Sequence, residues 1–232
     1  FDQEKDFNVI TPRYSLLKAI WRSWLVTKNL KKEKIDIYHG LSNEIPFGIH
    51  KTGIKSVVTI HDLINKRYPE NYQLIDRWIY DLKLRYAQKY ADVIITVSEQ
   101  TKKDIIKYYN TNETKIKVIP IGIAQRQNKP VEPPSPYILC VSSFTKRKNL
   151  KALVQAFKSI EDKDITLKIV GSYGETANEI QRLTKEDPRI ELHFNISNEE
   201  LNDLYTKCQF CVYPSLFEGF GIPILEAFSY GK

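Results

Sequence analysis

Residues 137–171 read YILCVSSFTKRKNLKALVQAFKSIEDKDITLKIVG, and the fold turns on how that stretch is parsed. YILCVSS is apolar nearly throughout, as a strand is when both faces of its sheet are covered. NLKALVQAFKSI carries a helical pattern and ITLKIVG is a second strand, so the whole is a βαβ unit whose strands run parallel. The alternation continues through helix ANEIQRLTK (177–185), strand IELHFN (190–195), helix NEELNDLYTK (198–207), strand FCVYPS (210–215) and helix PILEAFSY (223–230). Such a series implies a parallel sheet with helices on both faces.

The upstream half follows the same grammar, with strands expected at IDIYH (35–39), SVVTIH (56–61), VIITV (93–97) and IKVIPIG (116–122). Thr11 and Pro12 form a cap and first turn for a helix running to about residue 32, on which Leu17, Ile20, Trp21 and Trp24 recur at helical spacing. Packing against the sheet is the expected role of these tryptophans. Ile75, Trp78, Ile79 and Leu82 mark another helix, and Ser98 caps a third with Glu99 in its first turn. Between the halves, IAQRQNKPVEPPSP (123–136) holds four prolines and no apolar period, the mark of a linker. The expected fold is therefore α/β, with two Rossmann-like domains at 1–122 and 137–232. The chain starts at Phe1, contains no Met, and shows fewer strands in its second half than the roughly six of a complete doubly wound domain. Both domains are expected to be incomplete.

At 232 residues, 42% hydrophobic and 27% charged, the chain can bury two small cores, which excludes disorder. It has neither an apolar leader nor an apolar run of membrane-spanning length, so a cytoplasmic protein is expected. Three cysteines make no disulfide framework. The C-x-x-C of Cys208 and Cys211 lacks the second pair that zinc would need, and it reads as buried core. The net charge of +7 is unevenly placed: up to Gly122 there are 21 Lys and Arg against 14 Asp and Glu, and after it 14 against 14. A basic half suits nucleic acid, anionic lipid or a phosphorylated acceptor, and charge does not choose among them.

The stretch richest in chemistry is PSLFEGFGIPILEAFSYG (214–231). Glu218 is expected at a strand end, Gly219, Phe220 and Gly221 form a turn, and Pro223 opens a helix carrying Glu226. Ligands of parallel sheets bind beyond the carboxyl ends of the strands, glycines admit close backbone approach, and a helix N-terminus favours an anion. Arg147 and Lys148, between a strand end and the next helix, are cations suited to an anionic ligand. His61 ends the strand SVVTIH and precedes Asp62. His39 is a candidate for contact with an acceptor or with loop backbone. His50 and His193 give no functional signal, and the DKD at 162–164 reads as a solvated turn.

The E-x7-E pattern with G-F-G after its first Glu resembles the signature of the family 4 retaining glycosyltransferases (glycosyl transferases group 1, of the GT-B fold). PRYSLLKAIWRSWLV, IDIYHG, VVTIHDL, ITVSEQTKKDI and KVIPIG are similar to the later part of such an enzyme's N-terminal domain, and YILCVSSFTKRKNL to the opening of its C-terminal domain. The resemblance, closest in kind to bacterial mannosyltransferases, implies a metal-independent enzyme without cofactor. A nucleoside-diphosphate sugar would be its substrate, with a hexose, mannose or glucose, passing to a glycan or lipid-linked acceptor. It implies that Glu218 and the amides of Gly219 to Gly221 hold the donor sugar and its phosphate. Glu226 would bind the ribose, Arg147 and Lys148 the diphosphate, and His61 would face the donor sugar. Glu218, His61 and Lys148 are the expected catalytic residues.

Where many members have a Gly-Arg pair early in the cationic loop this chain has Ser142 and Ser143, and Ile121 and Ala124 depart from the family pattern at the domain junction. Phosphorylase and sugar-nucleotide epimerase are the alternatives on the same plan, and a non-catalytic basic binding module for anionic lipid or nucleic acid is the alternative of a different class. Nucleic acid is not an expected partner, because the second half is neutral. An anionic membrane surface is a candidate partner of the basic first half, met by Lys28, Lys31, Lys32 and Lys34 while Trp21 and Trp24 beside Arg22 pack on the sheet, and it would hold the protein at the inner face of the membrane.

Overall fold

The apolar runs fold as eight strands among the residues described, which in this computed structural model are 9–12, 18–123 and 135–232. The chain divides into two compact units, Phe1–Pro120 and Ile121–Lys232. Residues 124–134, most of the proline-rich stretch read as a linker, lie outside the described residues, as do 13–17 of the first expected helix.

In the first unit, β1 (Ile37–Gly40), β2 (Lys55–Ile60), β3 (Val93–Thr96) and β4 (Ile116–Val118) form a parallel sheet in that order. The first helix runs from Lys18 to Lys32 as α1 (Lys18–Ile20), a π-helical turn (Trp21–Leu25) and α2 (Val26–Lys32). Trp24 departs from the packing expected of it, while Trp21 is half-buried. Trp24 is 58% exposed and stacks on Phe47, in the loop after β1, at 4.5 Å between ring centroids. Between β2 and β3 lie α3 (Ile64–Arg67) and the long α4 (Leu74–Tyr90), and α5 (Glu99–Tyr109) joins β3 to β4. Ser98 caps α5 by accepting from the amide of Thr101, as its position predicts. The core is built from Ile49, Val58, Ile60, Leu63, Leu84 and Ile94, among others.

The apolar periodicity at 75–82 locates α4 correctly, yet it marks the wrong face. Leu84 and Ala87 are the residues this helix buries, while Ile75 and Trp78 stand 71% and 67% exposed. At about 100° per residue the exposed set and the buried set lie on opposite sides of the helix.

The second unit holds β5 (Tyr137–Val141), β6 (Thr166–Gly171), β7 (Ile190–Phe194) and β8 (Phe210–Cys211), all parallel, in the order β7-β6-β5-β8. The helices are α6 (Leu150–Lys158), α7 (Ala177–Thr184), α8 (Asn198–Lys207) and α9 (Ile222–Ser229). Alternate residues of β5 enter different cores. Ile138 and Cys140 pack with Leu150, Val154 and Phe157 of α6, whereas Tyr137 and Leu139 pack with Tyr205, Ala227 and Tyr230. Burial on both faces is why YILCV shows no polar alternation. The cysteines are free: Cys208 is buried, and its sulfur lies 3.8 Å from that of Cys211. No described helix is long and apolar enough to cross a membrane.

Candidate functional site

Strand order fixes where a ligand belongs in the second unit. From β5 the chain steps outward to β6 and β7, then returns to place β8 on the other side of β5. Beyond the carboxyl ends of β5 and β8 the chain leaves the sheet in opposite senses, and such a reversal is where a ligand of a parallel sheet is expected. One wall is the loop after β5, residues 142–149, and the other is the connection from β8 to α9.

The first wall is held by close backbone approach. A Cβ on Gly171, the last residue of β6, would sit 1.8 Å from the carbonyl oxygen of Ser142, so only glycine lets the loop lie there. Ser142 is tied to β6 by donating its amide to the Val170 carbonyl at 2.8 Å. The amide of Lys146 donates to Glu175 at 3.0 Å. The cationic residues then form a short 3-10 turn, Lys146–Lys148, ended by Asn149 in the left-handed region at φ 56°.

This turn delivers two cations onto one carboxylate. Arg147 Nη1 donates to Glu218 Oε1 at 2.6 Å, and Lys148 Nζ donates to the same oxygen at 2.7 Å. Lys148 also donates to the hydroxyl of Tyr213 at 2.8 Å. The two loops are further stitched by the amide of Leu216 donating to the Arg147 carbonyl at 2.9 Å and by Asn149 Nδ2 donating to the Pro214 carbonyl at 3.3 Å. The side chains of Arg147, Lys148 and Glu218 are 14%, 11% and 21% exposed, which strengthens each charge on the others. Burial pushes the Glu218 carboxyl up, but the hydrogen bond from Lys148 and the charges of Lys148 and Arg147 outweigh it and hold the group below its ordinary value. Glu218 is thus a carboxylate at neutral pH, and two cations against one anion leave the cluster positive, suited to an incoming anion.

Glu218 is not at a strand end, as expected from sequence. β8 stops at Cys211, and Glu218 sits well along the connection that leads to α9. Gly221 closes that connection at φ 91° and ψ 50°, a conformation natural to glycine. No side chain caps α9, so its N-terminal dipole remains available to an anion. Glu226, on α9, accepts from the hydroxyl of buried Tyr205 at 3.1 Å.

Residues 4–126 match the model of glycosyltransferase family 4, and residues 123–232 match that of the glycosyl transferases group 1. The chain belongs to glycosyltransferase family 4. Among its relatives are the O-antigen chain mannosyltransferase RfbU of Salmonella typhimurium, 29% identical over 173 residues, and the O-antigen chain mannosyltransferase B of Escherichia coli, 28% identical over 241. The first match takes in 73% of this chain and 48% of the relative, the second 94% and 60%. The chain therefore spans only about half to three-fifths of these relatives. A third is the UDP-N-acetylglucosamine–peptide N-acetylglucosaminyltransferase GtfA subunit of Limosilactobacillus reuteri, 26% identical over 78% of this chain and 36% of its own. Sucrose-phosphate synthase from Thermosynechococcus elongatus shares the fold with a TM-score of 0.71 at 21% identity, covering 96% of this chain and 61% of that one. HepE of Anabaena, whose structure is in complex with UDP and glucose, does so with a TM-score of 0.69 at 18% identity, over 96% and 64%. The fold is of the GT-B type.

For this family 4 chain, the second unit brings together Arg147, Lys148 and Glu218, with Gly219 to Gly221 on the same connection. His61 belongs to the first unit. Its amide donates to Asn43 Oδ1 at 2.9 Å, and its ring Nε2 lies 2.8 Å from the Leu41 carbonyl. Because a carbonyl only accepts, Nε2 carries the proton, and a neutral ring leaves Nδ1 as an acceptor. His39 meets the Thr59 hydroxyl at 2.8 Å. Reading the sequence missed Tyr213, Gly171 and Glu175, which hold the cationic loop in place.

Proposed function

We propose that the protein containing this chain transfers a hexose from a nucleoside-diphosphate sugar to an acceptor hydroxyl, retaining the anomeric configuration. The observation that carries this reading is the convergence of Arg147 and Lys148 on Glu218 at the strand reversal. In the proposed reaction the bond between the anomeric carbon and the diphosphate breaks, and Arg147 and Lys148 meet the charge that develops on the leaving oxygens. Glu218 and the amides of Gly219, Phe220 and Gly221 hold the sugar and its nearby phosphate, and Glu226 takes the ribose hydroxyls. His61 joins the catalytic set through Nδ1. The leaving diphosphate assists removal of the acceptor proton, and neither metal nor cofactor takes part.

Mannose is the favoured hexose, with glucose next, since two relatives are mannosyltransferases. Two relatives are named for mannosyl transfer in O-antigen chains and a third for transfer to a peptide; the acceptor proposed for this protein is a glycan or a lipid-linked acceptor. The basic excess of the first half, 21 against 14 charged residues up to Gly122, supports work at an anionic membrane face in the cytoplasm.

Thermal unfolding of the full-length protein with a panel of guanosine and uridine diphosphate sugars tests the donor. A ligand at a hundred times its Kd stabilises the folded form by about 2.7 kcal/mol, and GDP-mannose is expected to raise Tm most. If none of the sugar nucleotides raises it, the reading fails.

A further inference from the structure

His61 follows β2 and is held at three points. Its carbonyl accepts from the hydroxyl of Thr101 at 3.1 Å, a residue only 1% exposed in the first turn of α5. Its amide donates to Asn43 Oδ1 at 2.9 Å, and its ring Nε2 meets the Leu41 carbonyl at 2.8 Å. Of its polar atoms, Nδ1 alone has no partner among the described residues.

Two of these three points come from one loop, residues 41–44, which is anchored along its length. At its start, a Cβ on Gly40 would sit 2.1 Å from the Glu44 carbonyl oxygen, so the chain turns back on itself at a spacing that glycine alone permits. At its end, the Glu44 carboxylate pairs with both Arg22 and Lys83. Between them Asn43 stands at φ 59°, in the left-handed region that asparagine enters more readily than most residues. Its amide donates to the Thr59 carbonyl at 3.0 Å while its side chain receives the His61 amide, so one residue grips the end of β2 on both sides of Ile60.

What this grip keeps in place is the Leu41 carbonyl, two residues earlier. A carbonyl there chooses between the two neutral forms of the ring: with the proton on Nε2 a hydrogen bond forms, and with it on Nδ1 two lone pairs face each other at 2.8 Å. We infer that Asn43 is a positioning residue for His61, fixing through the Leu41 carbonyl the tautomer in which Nδ1 is an acceptor. Nδ1 then recognises a group with a proton to give, such as a hydroxyl, and turns away a diphosphate oxygen. The consequence for turnover rests on the transferase reading above; the tautomer does not.

Nitrogen-15 NMR of the imidazole in the full-length protein reads the tautomer directly, with the His61 signals assigned by their absence in His61→Gln. The neutral ring of the parent should show a protonated Nε2 and a bare Nδ1. Asn43→Gly keeps a residue at home in the left-handed region and removes the acceptor; the shifts of its two ring nitrogens should draw together, as they do when tautomers exchange. Asn43→Asp retains an acceptor and should retain the parent spectrum. In transfer assays Asn43→Gly should lower kcat at least about tenfold, as misplacing a reacting group does, with the donor KM close to the parent's, and Asn43→Asp should recover most of the loss. A parent ring protonated on Nδ1 overturns the inference. So does a parent-like spectrum in Asn43→Gly, whether or not its kcat falls. An altered tautomer with unchanged kcat upholds the positioning and overturns only the place of His61 in the transferase reading, so the two fail separately.

Discussion

Replacing Lys148 by alanine separates the structural from the chemical part of the charged cluster. The ammonium is nearly buried and bonds both Glu218, at 2.7 Å, and Tyr213, at 2.8 Å. After its removal Glu218 keeps Arg147 at 2.6 Å, so the carboxylate is not stranded. The stability lost should be that of the charge-assisted hydrogen bonds to Glu218 and Tyr213, about 1.5–3 kcal/mol for each, without the further penalty of an orphaned buried charge. The effect on rate should be larger, because losing one donor to a developing oxyanion costs about 10²–10³ in kcat. Acid sensitivity should change as well. With its pKa depressed in the folded state, Glu218 contributes stability that is complete above its unfolded pKa and is lost as pH falls through the folded value. Without Lys148 the folded value rises toward the ordinary one, so that contribution shrinks and its loss on acidification is complete at a higher pH. The assays are steady-state transfer by the full-length enzyme and Tm measured from neutral to acidic pH. A kcat reduced less than about tenfold, with Tm lowered as described, would refute the role of Lys148 in stabilising the leaving group.

Gly171→Ala should unsettle the cationic loop, because the new methyl carbon would meet the Ser142 carbonyl at 1.8 Å; a cost of at least about 1–3 kcal/mol is expected in urea unfolding. Arg67→Ala would remove both guanidinium hydrogen bonds to Asp104, at 2.6 and 2.7 Å. Asp104 is 1% exposed, and thermal unfolding should show a loss of about 3–5 kcal/mol. Tyr205→Phe removes the hydroxyl that orients Glu226; the donor KM should rise severalfold with kcat little changed, and the same KM in variant and parent would count against a ribose role for Glu226.

Local patterns carried the fold a long way. Apolar runs located every strand described here, and Ser98 announced its helix, because strand burial and helix capping are decided by neighbouring residues. The facing of α4 was not legible. Ile75, Trp78, Ile79 and Leu82 satisfy helical spacing as well as any core stripe would, and periodicity does not say which of two apolar faces meets a sheet. Strand order was hidden for a related reason: alternation of strand and helix is the same whichever side of β5 receives β8. In the candidate site, Arg147, Lys148 and Glu218 stood out by type and position. Tyr213 did not, since its partner Lys148 is 65 residues away and an aromatic near a strand end is ordinary. Gly171 was equally silent, because the carbonyl that forbids a side chain there comes from the loop after another strand.

The shared oxygen of Glu218 has a consequence for selectivity. The cluster's spare positive charge draws anions, but inorganic phosphate must also take Arg147 and Lys148 off a ready-made partner and gives that partner nothing in exchange. On the proposed donor reading a sugar nucleotide would do better, as its hydroxyls would offer the displaced carboxylate new company. On the same reading the spent nucleotide would lose that advantage once the sugar has moved on, and the cluster's return to its internal pairing would favour release.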